Sequence, residues 1–286
     1  MAIPEKRPVN VAATSLAILL AVVALPASAL DKKTEAALDA AIAGEHRSAE
    51  NKARDAFRQP KQVLDFIGFR SNMDVLEVWP GSGWYTQILA PALKDEGTLY
   101  AAQFDPNGRY GYQRRDYGKF LTMLGETPDI YRDIVITQLA LPYQLQMAPP
   151  ESVDLVVTFR NVHNWFSDMY GSGAYARIAF QAMYDALRPG GVLGIVDHRW
   201  PDPETEDPLA GNGYISTERT IAMAEAVGFR VTGESDMLAN PKDTRDHPQG
   251  VWTLPPGYAL GDENREKYQA IGESDRFVLK FLKPIE

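Results

Sequence analysis

Apolar and polar positions along the chain follow two repeats, one typical of helices and one typical of buried strands. Between residues 31 and 57, Leu38, Ala41 and Ile42 keep a helical period within an Ala-, Glu-, Lys- and Arg-rich sequence, which predicts one or two amphipathic helices. Pro60 fits the first turn of a further helix that ends near Ile67. Beyond it, short apolar runs bounded by turn residues predict buried parallel strands at 74–78, 98–103, 134–138, 152–159 and 192–197.

Helical segments separate these strands and indicate the fold class. They are expected at 84–93, around 118–124 and at 175–187. Strand and helix therefore alternate, and this alternation predicts an α/β protein with a doubly wound sheet in one domain.

The C-terminal part has a different order of elements. A helix at 217–227 ends at Gly228, and strands at 229–233 and 276–282 follow without another predicted helix between them. Two successive strands predict an antiparallel hairpin added to the parallel sheet. The long connection at 240–264 is rich in Pro and Asp, and its aromatic residues favour a packed loop.

The first 29 residues have the pattern of a secretory signal peptide. Lys6 and Arg7 precede an apolar run over 11–25, and the small residues of 26–29 follow it. An uncleaved membrane anchor is the alternative, but the run is shorter than the roughly 20 residues that span a bilayer. We expect cleavage after Ala29, a periplasmic or secreted protein, and no stable membrane insertion after cleavage. The expected domains are a signal peptide at 1–29, a helical extension at 30–59 and the α/β domain at 60–286.

Charge and cysteine content narrow the function classes. The formal net charge is −9, with 29 basic and 38 acidic residues, and the chain contains no cysteine. A nucleic-acid partner is not expected, because proteins that bind the phosphate backbone carry a basic excess. Disulfides, thiolate zinc sites and cysteine nucleophiles are excluded by composition.

A glycine turn follows the first predicted strand. The sequence over 74–86 predicts a strand, a tight turn with Gly81 and Gly83, and then a helix, which is where open α/β sheets bind nucleotide-like ligands. The dinucleotide fingerprint requires a third glycine, and Thr86 stands at that position. Glu77 lies inside the strand, where a carboxyl group is costly without hydrogen bonds or a positive ligand.

These residues resemble the class I S-adenosylmethionine-dependent methyltransferases, and within them a group of exported predicted methyltransferases. Glu77, Gly81, Ser82 and Gly83 match the family's acidic residue and glycine loop, and Trp79 replaces the first glycine. A second match covers 187–195, which resembles the turn into the family's fifth strand, and the last two strands resemble its closing hairpin. The resemblance spans about 60–284 and implies a Rossmann-like, mostly parallel, seven-stranded sheet.

The resemblance also implies a set of cofactor-binding residues. Glu77 and the glycine loop would hold the methionine part of S-adenosylmethionine. The family's ribose-binding acid falls on Gln103, and Asp105 is the alternative two residues later. Asn161, after the fourth strand, completes the expected cofactor set.

Candidate catalytic residues follow the fourth and fifth strands, whose ends face the ligand cleft in this fold. His163 is a candidate general base, and Asp197 and His198 should open onto the same cleft. A divalent metal bound by these three residues is the alternative, although we expect no metal. The sequence thus predicts an S-adenosylmethionine-dependent methyltransferase acting on a small-molecule acceptor.

Two other functions remain open from the sequence. A non-catalytic binding protein that retains the fold would account for Trp79 and Gln103. A nicotinamide oxidoreductase is disfavoured by the missing third glycine and by the closing hairpin. The acceptor and the oligomeric state are not identified by any motif.

Overall fold

The computed structural model describes residues 30–285, so the expected signal peptide lies outside the described part of the chain. The strands are β1 Asp74–Val78, β2 Thr98–Gln103, β3 Val135–Gln138, β4 Val153–Phe159, β5 Leu187–Trp200, β6 Ile215–Ser216, β7 Arg230–Ser235 and β8 Arg276–Leu282. The helices are α1 Lys32–Ala43, α2 Ala49–Ala53, α3 Asp55–Arg58, α4 Pro60–Ile67, α5 Thr86–Leu93, α6 Gly111–Glu126, α7 Pro128–Tyr131, α8 Val162–Phe166, α9 Ala174–Ala186, α10 Thr217–Glu225 and α11 Arg265–Ile271.

The strands form one mixed sheet in the order β3-β2-β1-β4-β5-β8-β7, and the two-residue β6 pairs with β5. The first five strands of this order are parallel, whereas β8 runs antiparallel to both β5 and β7. The predicted doubly wound sheet with a C-terminal antiparallel hairpin is confirmed. The chain order reverses between β1 and β4, where Val78 lies beside Thr158, and ligands of open α/β sheets bind at such a point.

Helices cover both faces of the sheet. Side chains alternate along a strand, so Val75 faces a core that contains Leu64 of α4 and Ile88 of α5. Its neighbour Leu76 faces a second core that contains Phe180 of α9. Burial on both faces explains why the strands have continuous apolar runs.

The N-terminal helices belong to the packed structure. Asp31 caps α1 by accepting hydrogen bonds from the Lys33 and Thr34 amides. Leu38 and Ala41 of α1 are buried in the core that contains α5. Among residues 30–285, no helix is long and apolar enough to cross a membrane.

The main departure from the predicted elements is the length of β5. The predicted strand began at 192, but β5 begins at Leu187, directly after α9. The Gly190 amide donates to the Lys283 carbonyl, and the Lys283 amide donates to the Gly191 carbonyl, each at 2.9 Å. The turn residues are thus paired with the chain beyond β8, a long-range contact that local sequence does not reveal.

Candidate functional site

A cleft of about 550 Å³ opens at the carboxyl ends of β1 and β4. This volume lies within the range of small-molecule sites. Its walls come from the glycine turn after β1, from the segment after β4, from α6, and from Arg54 and Arg58 of the N-terminal helical region. The cleft therefore lies where the order of the strands predicts a ligand.

The turn between β1 and α5 has the backbone of a glycine loop. Trp79, Gly81 and Gly83 all have positive φ, at 51°, 62° and 90°. A Cβ atom added at Gly81 would meet no atom within 4 Å, whereas one at Gly83 would lie 2.6 Å from the Met123 methyl carbon. Gly81 thus faces open space in the cleft, and Gly83 permits close packing of α6.

Trp79 keeps a left-handed backbone although it is not glycine. Its buried ring contacts Phe104, Trp165 and Tyr170 at centroid distances of 4.9, 5.7 and 5.2 Å. The indole Nε1 donates to the Leu139 carbonyl at 3.0 Å. Packing of a large aromatic ring offsets the roughly 1–2 kcal/mol that a left-handed residue costs.

Glu77 is a buried carboxyl group at the base of the cleft. It is 1% exposed, and its Oε2 accepts a hydrogen bond from the Thr86 hydroxyl at 2.6 Å. Burial raises the pKa of Glu77 to about 8, although the Thr86 hydrogen bond acts in the opposite direction. Thr86 stands at the position of the third glycine of the dinucleotide fingerprint, and its hydroxyl donates a hydrogen bond to Glu77.

Gln103 contacts the glycine turn. Its Nε2 donates to the Gly81 carbonyl at 2.6 Å, and its Oε1 accepts from the Phe104 amide at 3.0 Å. Asp105 lies beyond the strand, where its Oδ1 accepts from the Asn107 amide at 2.8 Å. The ribose-binding roles of both residues stay predictions.

Asn161 joins the ends of β1 and β4. Its Nδ2 donates to the carbonyls of Val78 and Trp79, at 3.0 and 3.1 Å, and to the Thr158 hydroxyl. Ser82 is exposed at the cleft wall. Both residues face the same cleft as Glu77 and Gly81, as the sequence places them.

His163 and Asp197 form a buried dyad. The His163 Nδ1 lies 2.8 Å from Asp197 Oδ1, and the backbone amide of His163 donates to Asp197 Oδ2 at 3.0 Å. A carboxylate accepts the Nδ1 proton, which leaves Nε2 of the neutral ring as a proton acceptor. His163 lines the cleft, so the dyad has the geometry of an oriented general base.

His198 lies beside the dyad, with its ring centroid 5.3 Å from that of His163. Its Nε2 accepts from Arg160 Nε at 3.1 Å, and its Nδ1 contacts the Ser274 hydroxyl. Burial and then the positive charge of Arg160 lower the pKa of His198 well below its usual value. These contacts are those of a neutral residue that positions Arg160, and the catalytic role of His198 stays a prediction.

The alternative of a metal bound by these residues fits their contacts poorly. His163, Asp197 and His198 offer ligand atoms within 4.8 Å of one another. However, Asp197 already accepts from the amides of both histidines and from the His163 ring. The Arg160 guanidinium occupies His198 Nε2 and places positive charge where a cation would bind.

Three cleft residues that no sequence motif marks come from distant segments. Arg54, at the end of α2, and Arg58 of α3 line the cleft from the N-terminal side, and Trp252 lines it from the long loop before α11. Trp252 is 42% exposed and contacts the His163 ring edge to face at 6.1 Å. No local motif marks these residues, because only the tertiary packing brings them to the strand ends.

A second cavity, of about 570 Å³, lies between α9 and the segment before β4. Leu145, Met147 and Ile178 are among its lining residues, and its charged groups are Arg177 and Asp185. It contains neither the glycine turn nor the dyad, so the cleft at the strand ends is the better candidate for a reactive site.

Comparison with protein-family models finds no match, and comparison with curated proteins finds none. Solved structures give similarity of fold. One is a SAM-dependent methyltransferase from Aquifex aeolicus, with TM-score 0.50, 14% identity, and coverage of 81% of this chain and 93% of that chain. Another, from Galdieria sulphuraria and assigned as a sarcosine dimethylglycine methyltransferase, has TM-score 0.54, 12% identity, and coverage of 91% and 92%.

A third similar structure is the [4+2]-cyclase SpnF, with TM-score 0.51, 14% identity, and coverage of 91% of this chain and 98% of that chain. Identities this low establish the fold alone, and the fold hosts more than one activity. The chain has the Rossmann-like fold of the class I S-adenosylmethionine-dependent methyltransferases.

Proposed function

We propose that this protein is an S-adenosylmethionine-dependent methyltransferase acting on a small-molecule acceptor. The observation that carries the proposal is that the glycine turn after β1 and His163, whose ring is held by Asp197, line one cleft. A donor held at the turn and a nucleophile held at the dyad would share the same enclosed volume. Methyl transfer is an in-line displacement, so the protein must hold the methyl donor and the acceptor close together and aligned.

The residues of the turn fit the proposed cofactor. Gly81 presents open space rather than a side chain, so a ligand can approach the backbone there. Glu77 lies next to this space, and a cationic ligand would stabilise its ionised form. When bound, S-adenosylmethionine supplies a methyl group on a positively charged sulfur. The similar structure from Aquifex aeolicus is itself a SAM-dependent enzyme, which supports the assignment.

The dyad would move one proton. His163 Nε2 accepts the proton of an acceptor hydroxyl, thiol or amine, while Asp197 fixes the ring and stabilises the imidazolium. The methyl carbon would bond to the acceptor atom, and the electron pair of the broken carbon–sulfur bond would stay on the sulfur of the bound S-adenosylmethionine. The products are the methylated acceptor, S-adenosylhomocysteine and a protonated His163.

The test follows release of S-adenosylhomocysteine over a panel of acceptors and compares the wild type with His163→Gln. General-base catalysis contributes about 10²–10⁴-fold, so kcat should fall by that factor. Binding of S-adenosylhomocysteine should change little, because the glycine turn is retained. His46→Gln is the control, since His46 contacts the Gln87 carbonyl outside the dyad. Equal kcat in the wild type and in His163→Gln would rule out the base.

A non-catalytic ligand-binding protein is the second candidate. It is favoured by Gln103, whose amide group binds the glycine turn itself at Gly81. An uncharged residue in that position gives a ribose a weaker partner than a carboxylate would. This function predicts tight ligand binding without any turnover of S-adenosylmethionine.

A further inference from the structure

Four arginines surround a single buried carboxylate beside the cleft. Glu273 accepts hydrogen bonds from Arg54 Nε at 2.7 Å, from Arg58 Nε at 3.1 Å, and from Arg276 Nη2. Arg160 contributes a fourth positive charge, which acts electrostatically on Glu273. Asp197 also acts on Arg160, so Arg54, Arg58 and Arg276 are the three guanidinium groups that share Glu273 through hydrogen bonds.

The cluster is electrostatically under-compensated. Burial alone would raise the pKa of Glu273, but the charges of Arg276, Arg58 and Arg54 lower it well below its usual value. Burial lowers the pKa of Arg58 to about 9, and Glu273 only partly opposes this shift. A further anion would relieve the repulsion among these groups.

Two donors of the cluster have no partner. Arg54 Nη2 and Arg58 Nη2 are buried, and neither has a hydrogen-bond acceptor among residues 30–285. Arg58 is 4% exposed, and its guanidinium lies over the Trp84 ring at 4.5 Å. Both arginines line the cleft. Buried donors without acceptors are costly, and a bound acceptor group at the cleft would remove that cost.

We propose that Arg54 and Arg58 bind a carboxylate group of the methyl acceptor. The proposal deepens the proposed function and rests on it for the identity of the bound molecule as an acceptor. Arg54 Nη2 and Arg58 Nη2 have donors to spare, and both arginines already donate through Nε to a carboxylate, that of Glu273.

The carboxylate site and the general base are linked through one chain of contacts. Arg160, in the same charge cluster, donates to His198, whose ring lies 5.3 Å from that of His163. Tyr85 and Phe159 line the same cleft, and their rings stack with an interplanar angle of 7°. Because aromatic rings line the cleft, an aromatic hydroxy acid is a suitable probe of the carboxylate site.

The test is a titration monitored by isothermal calorimetry, which does not depend on the ultraviolet absorbance of the probes. The probes are 4-hydroxybenzoate, its neutral amide 4-hydroxybenzamide, and phenyl phosphate. The wild type should bind the acid at least tenfold more tightly than the amide, since a charged hydrogen bond is involved. Equal affinities, or no binding of the acid at 10 mM, would overturn the proposal, and tighter binding of phenyl phosphate would overturn the carboxylate assignment.

Variants separate this site from general charge effects. Arg54→Gln should weaken the acid about tenfold and leave the amide unchanged. Arg114→Gln removes the same charge from an exposed residue of α6 and should bind the acid as the wild type does. If Arg54→Gln does not fold, Arg58→Lys tests the same site, because it keeps the charge and loses Nη2. Unchanged acid binding in the folded variant would overturn the proposal.

A parallel titration with S-adenosylhomocysteine distinguishes the two proposals. If the protein binds S-adenosylhomocysteine but shows no preference for the acid over the amide, the proposed carboxylate site is rejected. The proposed methyltransferase function is then unaffected. If the protein prefers the acid, and this preference depends on Arg54, but it binds no S-adenosylhomocysteine, the anion site is supported. The interpretation of that site as a methyl-acceptor site is then rejected.

Discussion

Glu77 should make the stability of this protein depend on pH in an unusual direction. Its carboxyl group has a folded-state pKa of about 8, raised by burial from a reference value of 4.5. Between these two values the native state holds a proton that the unfolded state has lost. The free energy of unfolding therefore falls as the pH rises, by about 1.4 kcal/mol per pH unit from this group.

The perturbation that isolates this effect is Glu77→Gln. The amide cannot ionise, and its oxygen can accept the Thr86 hydroxyl that Glu77 Oε2 accepts. Between pH 5 and pH 7 the variant should gain about 3 kcal/mol relative to the wild type, and over the full interval about 5 kcal/mol. Other titrating groups cancel in this comparison because both proteins contain them.

Urea denaturation at pH 5, 6, 7 and 8 measures the difference. Glu126→Gln, which removes an exposed carboxyl group at the end of α6, is the control variant. A stability difference between the wild type and Glu77→Gln that is constant across this range would refute the reasoning, because Glu77 would then ionise alike in both states.

The same group connects pH to the proposed ligand. A cation bound beside Glu77 favours its ionised form, so binding at pH 7 should release close to one proton. Calorimetry in two buffers with different ionisation enthalpies measures this release. Glu77→Gln should bind without it, and proton release of equal size in the variant would place the linked group elsewhere.

Two further predictions concern packing and export. Trp79→Ala should lower the free energy of unfolding by about 3–5 kcal/mol in urea denaturation, because it empties a buried aromatic site. Trp252→Ala, at a 42% exposed position, should lower it far less. Equal losses in the two variants would contradict the packing account. We also propose that the chain is exported and cleaved after Ala29. The intact mass of the protein recovered from an exporting bacterium should then correspond to a chain that begins at Leu30. Retention of residues 1–29 would contradict this proposal.

Local sequence was sufficient for the elements that form the sheet. The runs at 74–78, 98–103 and 276–282 became strands with the predicted bounds, because each is apolar on both faces and flanked by turn residues. The glycine turn could also be located, since positive φ and close approach select for Gly81 and Gly83.

The remainder of the site depends on contacts that no local pattern encodes. The dyad joins residues 34 positions apart, and its adjacency was expected only because β4 and β5 are neighbours in the sheet. Arg58 and Glu273 are 215 positions apart, and the helical extension gave no sign that it supplies cleft residues. In an amphipathic helix, an arginine that enters a cleft and one that faces solvent look alike in sequence.

The most direct measurement of the central claim is isothermal titration calorimetry with S-adenosylmethionine and S-adenosylhomocysteine on the wild type, Gly81→Leu and Gly261→Leu. Gly81 and Gly261 have nearly the same φ, 62° and 63°, and neither has an atom within 4 Å of an added Cβ, but only Gly81 lines the cleft. We expect one ligand per chain in the wild type and in Gly261→Leu, and none in folded Gly81→Leu. No heat from the wild type at millimolar ligand, or undiminished binding by Gly81→Leu, would contradict the claim that this turn binds the methyl donor.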